Sequence, residues 1–215
     1  MRIVITGASR GIGQAMMKAY QRAGHEVTGT GRQAGTDLFP LDVTDPASPA
    51  VLAAHLGARP VDLLVCNAGI YSDKGQNLET GFAAPLWAEG FATNVTGVFL
   101  TIQALLPHLL RAPAAKIAII SSQMGSDTRA PGGSYIYRAS KAAALNLGRN
   151  LAVDLRPRGI AVGIYHPGWV QTDMGGSAAD ITVDESASGL VARFAALGLE
   201  TTGCFETWDG RPHPF

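Results

Sequence analysis

Short runs of β-forming residues alternate with longer helical patterns from one end of this chain to the other, and several of the short runs are apolar on both faces. Val61 to Cys66 and Ile117 to Ile120 are the clearest. A strand that is apolar on both sides must be covered on both sides, and the cover at hand is the helical stretch between one run and the next. The pattern predicts strands near 2–6, 26–30, 38–42, 61–66, 115–121, 160–165 and 203–207, with helices near 11–23, 47–56, 83–110, 134–156 and 184–198. Such βαβ units imply an α/β fold: a three-layer, doubly wound parallel sheet of about seven strands. Right-handed crossovers then open a crevice beyond the carboxyl ends of the strands, where the strand order reverses.

Composition agrees with one such domain over residues 1–215, since 47% of residues are hydrophobic, 16% are charged and 26 are glycine. Seventeen basic residues balance seventeen acidic ones, which leaves no electrostatic case for nucleic acid or an anionic membrane. No apolar run in the sequence is expected to span a bilayer. The opening Met-Arg-Ile-Val-Ile-Thr-Gly reads as a strand entering a turn and not as a leader. Cys66 and Cys204 are too few for a disulfide framework and have no Cys/His neighbours for a metal site, so a reducing cytoplasm and packing roles are expected. No repeat or linker interrupts the chain, and Gly175 to Ala179 reads as a mobile loop.

Each motif that carries chemistry follows one of the expected strands. Gly7-x-x-x-Gly11-x-Gly13 opens the first helix, where glycines allow close backbone approach and the helix amino terminus offers free N–H groups to a pyrophosphate. Ser9, Arg10 and Ile12 lie in the same loop. The second strand ends Gly31-Arg32 with no acidic residue to repel a 2′-phosphate, and Arg10 and Arg32 together suit one, so NADP(H) is expected over NAD(H). Asp42-Val43 places a carboxylate either on the adenine amino group or in a simple turn, and Asn67-Ala68-Gly69 puts small residues after the fourth strand. Tyr137 and Lys141 stand four apart on a helix face, so the ammonium is expected to hold the phenol toward its ionised form and make it a usable acid/base. Chance alone yields roughly 0.1 such pairs in a chain of this composition, so the pair gains its weight from the motifs around it.

Taken in order, Thr6-Gly7-Ala8-Ser9-Arg10-Gly11-Ile12-Gly13, Asp42-Val43, Asn67-Ala68-Gly69, Asn94, Ser122, Tyr137-x-x-x-Lys141 and Pro167-Gly168 resemble the motif set of the short-chain dehydrogenase/reductase family across essentially the whole chain. Within it, His166-Pro167-Gly168-Trp169-Val170-Gln171-Thr172-Asp173-Met174-Gly175-Gly176 and Trp208-Asp209-Gly210 are similar to the C-factor and sniffer-like carbonyl reductases. The resemblance implies a Rossmann-type fold and a site in which Tyr137 exchanges a proton with a carbonyl oxygen as hydride moves to or from a nicotinamide. Lys141 would hold the nicotinamide ribose, Ser122 would bond the substrate oxygen, and Asn94, at the start of a long helix, would hold a water linked to Lys141. Pro167, Gly168, Val170 and Thr172 would contact the nicotinamide. The Ser122 to Tyr137 interval is slightly longer than is usual in the family, and Gly125 to Ser134 can bulge to absorb it. Ser121 is the alternative to Ser122, since strand alternation lets only one of them face the cleft.

On the substrate side, Met124, Trp169 and Met174 are expected to line a shallow, open, apolar site suited to a small carbonyl or alcohol. His166 has no catalytic role in this reading. Val95, Val98, Phe99, Ile102, Leu105, Leu106 and Leu109 form one helical stripe, facing either the sheet or a second copy in a dimer or tetramer. A carbonyl reductase leads; a dinucleotide-binding sensor or signalling protein with little turnover, and an epimerase or dehydratase with a retained cofactor, are the other classes.

Overall fold

The computed structural model describes residues 1–33, 35 and 37–215. Seven parallel strands, β1 (Arg2–Ile5), β2 (Glu26–Gly31), β3 (Leu38–Pro40), β4 (Leu63–Cys66), β5 (Lys116–Ile120), β6 (Ala161–His166) and β7 (Phe205–Thr207), form one sheet in the order β3-β2-β1-β4-β5-β6-β7. The chain winds outward from β1 to β3 and then returns to place β4 on the other side of β1. The switch point therefore lies between β1 and β4, at their carboxyl ends.

Helices α1 (Gly11–Arg22), α2 (Ser48–Leu56), α3 (Ala84–Phe91), α4 (Gly97–Leu109), α5 (Tyr135–Leu155) and α6 (Val183–Ala196) cover the two faces. Strand alternation divides the apolar residues between two cores. Ile3, Ile5, Leu63, Val65, Ala118, Ile120 and Tyr165 pack with Met16, Met17, Leu190 and Phe194 of α1 and α6. Their strand neighbours Val4, Leu64, Cys66, Ile117, Ile119 and Val162 pack with Leu52, Ile102, Leu105, Leu109 and Ala152 of α2, α4 and α5. Both cysteines are free, and Cys66 is a core residue.

The helix expected over 83–110 is not one regular helix. Residues Ala92–Thr96 form a π turn between α3 and α4, so Asn94 sits inside a continuous helical run and not at its start. That run, Ala84–Leu109, is 26 residues long and by length and composition alone apolar enough to cross a bilayer. Its hydropathy is spent on the sheet: Val98, Ile102, Leu105 and Leu109 are buried, while Phe99 on the other side is exposed. The stripe is thus split between the core and the surface. Thr182 and Glu185 start α6 with a capping box. Helix α1 starts with no side-chain cap and no acidic residue in its first turn.

Candidate active site

The crevice at the switch point has a volume of about 570 Å³ and is lined by Gly7, Ser9, Arg10, Gly11, Ile12, Gly13, Arg32, Asp42, Val43, Asn67, Ala68, Gly69, Tyr137, Lys141, Pro167 and Thr172. Sixteen residues expected from the sequence to meet a cofactor therefore do share one cavity. The glycine loop is braced from beneath: the Asn67 side-chain amide donates to the carbonyls of Thr6 and Gly7, each at 3.0 Å, and the Thr6 hydroxyl accepts from the N–H groups of Asn67 and Ala68. A Cβ on Gly13 would collide with the Gly7 carbonyl and the Asn67 amide. With no side chain capping α1, its first N–H groups face the crevice free. This cradle fits the pyrophosphate of a dinucleotide.

The two arginines are not equivalent. Arg10 pairs with Asp173 at 2.5 Å across the mouth of the crevice, whereas no ion pair among the described residues involves Arg32. Asp42 uses Oδ1 to accept from the backbone and hydroxyl of Thr44, and these bonds hold its carboxyl below the usual carboxylate range. Asp42 is thus a turn residue that also lines the crevice.

At the other end, α5 carries Tyr137 and Lys141, both buried. Lys141 Nζ donates to the Ile120 carbonyl at 3.0 Å and lies 5.6 Å from the centre of the Tyr137 ring. A Cβ on Gly69 would lie 3.3 Å from Lys141 Nζ and 3.2 Å from Asn94 Oδ1, so this glycine admits both side chains to the site. The Asn94 amide accepts from the Ile70 N–H at 2.9 Å and donates to the Ile70 carbonyl and the Ser140 hydroxyl. Its side chain is committed to bracing the start of the loop after β4 against α5.

The serine pair alternates, and it is Ser121 and not Ser122 that lines the crevice. Ser121 donates its hydroxyl to the Lys141 carbonyl at 2.9 Å, while Ser122 accepts from the Met124 N–H and lies near enough to Tyr137 to draw the phenol downward. That downward pull is overridden. Burial pushes Tyr137 up to about 12, with smaller upward contributions from Tyr71 and Asp73. The expected depression by Lys141 is absent from the ligand-free site because desolvation acts on both groups, bringing Lys141 itself down to about 8.

Other expectations are redistributed. Met174 lines the crevice, but Met124 lines a neighbouring cavity of about 450 Å³ with Gln123, Arg129 and Arg138. Trp169 is exposed and donates its indole N–H to the Gly175 carbonyl. Gly168 turns against Ile181 and Trp208, and Val170 is buried beneath its own loop, so neither lines the crevice. The stretch expected to be a mobile loop is tied back: Gln171 donates its N–H to the Ile181 carbonyl and its side chain to the Ala179 carbonyl, and Gly176 donates to the Thr172 carbonyl. Lys74 reaches across to the Met174 carbonyl at 3.0 Å. His166 stays neutral, held down to about 4 by burial.

Sequence reasoning missed Tyr71 and Asp73. Tyr71 stacks on Tyr137 with ring centres 4.4 Å apart, and Asp73, fully buried, accepts from the N–H groups that open α5. Neither belongs to a motif, and the 64 residues separating Asp73 from Tyr137 hide the contact.

The family model for short chain dehydrogenase matches residues 1–181. The chain is 35% identical over 164 residues to C-signal of Myxococcus xanthus, covering 76% of this chain and 98% of that protein. The NADPH-bound carbonyl reductase from chicken fatty liver superposes over all of this chain and 98% of its own, with a TM-score of 0.89 and 31% identity. The carbonyl reductase Sniffer of D. melanogaster does so over all of this chain and 99% of its own, at 0.91 and 28%. By motif order, fold and family match, this chain belongs to the short-chain dehydrogenases and is an NAD(P)-dependent oxidoreductase.

Proposed function

We propose that the chain is an NADP(H)-dependent carbonyl reductase that acts on a small apolar carbonyl compound, with Tyr137 as the proton donor. The observation that carries the reading is the convergence of Tyr137, Lys141 and the glycine loop on one crevice. A bound nicotinamide supplies the hydride that reaches the carbonyl carbon. Tyr137 gives its hydroxyl proton to the carbonyl oxygen, and Ser122 donates a hydrogen bond to that oxygen as charge develops on it. Lys141, buried beside the phenol, is placed to bond the ribose hydroxyls and to favour the phenolate left after transfer. With burial holding it at about 12, the phenol carries the proton it must give at neutral pH, and forming the phenolate needs the support of Lys141 and Ser122. The NADPH-bound state of the chicken carbonyl reductase and Arg32, which lines the crevice and joins no ion pair among the described residues, support NADP(H) over NAD(H).

The similarity to C-signal supports a second reading, a dinucleotide-binding protein that signals and turns over little. Both readings are tested by NADPH consumption over a panel of aldehydes, ketones and quinones beside Tyr137→Phe. Turnover by the unmodified chain that falls at least a hundredfold in the variant, with NADPH still bound, is expected. Tight NADPH binding with no turnover of any panel member would overturn the reductase in favour of the second reading.

A further inference from the structure

The loop after β4 carries two residues that the chemistry above leaves unused, and both meet the start of α5. Asp73 is fully buried, and its two carboxylate oxygens accept from different N–H groups, Oδ2 from Ile136 at 2.8 Å and Oδ1 from Tyr137 at 3.2 Å. The turn entering α5 cannot cap itself, because Ser134 stands in the left-handed region at φ 50° and makes no side-chain cap. Asp73 supplies that cap from a distant part of the chain. Two residues earlier Tyr71 lies flat on Tyr137, at 4.4 Å between centres and 22° between planes, and its hydroxyl bonds Ser134. One short loop therefore holds the backbone and the ring of the same tyrosine.

We propose that Asp73 is a positioning residue for the reaction: it fixes the first turn of α5 and sets a carboxyl group against the backbone of Tyr137, while Tyr71 fixes the ring. The proposal rests on Tyr137 being the acid/base group. Besides Asp73 and Tyr71, the groups facing Tyr137 are Lys141 from α5 itself and the Ser122 hydroxyl from the end of β5; Glu89 of α3 borders the same crevice, and the neutral Asn94 of the π turn is buried behind it. Asp73 is the carboxylate bonded to the tyrosine's own backbone. The upward pull of Asp73 on the phenol has the sign this requires.

Asp73→Asn keeps the shape and one of the two acceptors, removes the charge and turns an amide N–H toward the other backbone N–H, so a loss of stability accompanies it. In the alcohol-oxidation direction the phenolate must form first, so kcat climbs with pH along a limb set by Tyr137. The expected result is a limb moved to lower pH by a fraction of a unit, which is about a twofold to threefold faster rate at a fixed pH on that limb. Asp73→Ser, a good helix cap without charge, should move the limb the same way. A helix cap with no other role would lower stability and leave the limb in place, and that result overturns the proposal. So does failure of both variants to fold and bind NADPH, which would make Asp73 a folding residue only. Tyr137→Phe is profiled alongside: if it retains turnover, the acid/base assignment fails, whereas an inactive Tyr137→Phe with unmoved Asp73 variants defeats this inference alone.

Discussion

Replacing Lys141 with methionine removes a buried ammonium and leaves an unbranched side chain of similar length to fill its place. The lysine is 5% exposed, and among the described residues its hydrogen-bond partner is the Ile120 carbonyl at 3.0 Å. Burial lowers it from 10.5 to about 8, a difference worth roughly 3 kcal/mol against the folded state. The sign follows from which state holds the proton more tightly. Below pH 8 both states are protonated and the folded state bears the full penalty; as pH rises toward 10.5 the folded lysine becomes neutral while the unfolded one does not, and the penalty fades. Losing the bond to Ile120 offsets about 1 kcal/mol, so Lys141→Met should be about 2 kcal/mol more stable than the parent at pH 7. For a domain of this size that is a rise in Tm of roughly 4–8 °C. Thermal unfolding of both proteins without cofactor, at pH 7 and again near pH 10.5, measures it, and the advantage should vanish at the higher pH. Carbonyl turnover should fall by at least about a hundredfold in the same variant. A variant no more stable than the parent at pH 7, or equally favoured at both pH values, would refute the desolvation argument.

Two further outcomes test the nucleotide end. Gly13→Ala forces a methyl group into the Gly7 carbonyl and the Asn67 amide, so it should lower stability by about 1–3 kcal/mol and abolish measurable NADPH binding; fluorescence titration that finds unchanged affinity would show that the loop yields. Because Arg10 is engaged with Asp173, Arg32→Ala should carry the loss of 2′-phosphate recognition, weakening NADPH by about tenfold to a hundredfold and leaving NADH unchanged. Equal losses for the two cofactors would remove Arg32 from that role.

The elements that sequence alone locates well are those with a strong periodic signal and an abrupt end. All seven strands lie where the runs that are apolar on both faces or the glycine turns place them, because a buried parallel strand has little choice of residue. Helix α5 was legible from its own pattern, and so were Tyr137 and Lys141 on it, since spacing on a helix is a local property. The π turn at Asn94 was not legible: nothing in Ala92–Thr96 breaks a helix, and the extra residue is accommodated by bonds from the Asn94 side chain to Ile70 and Ser140.

Residue identity and order thus determined the layered sheet, the site of the crevice and the chemical groups delivered to it, since each depends on local pattern and on the handedness of the chain. Tertiary structure decided the state of those groups. Burial, and not the neighbouring ammonium, dominates the Tyr137 phenol; Asp173 engages Arg10; and Asp73, 64 residues away in sequence, caps the helix that carries the tyrosine. Solvation and long-range hydrogen bonds exist only once the strands have assembled, so no reading of a linear pattern contains them.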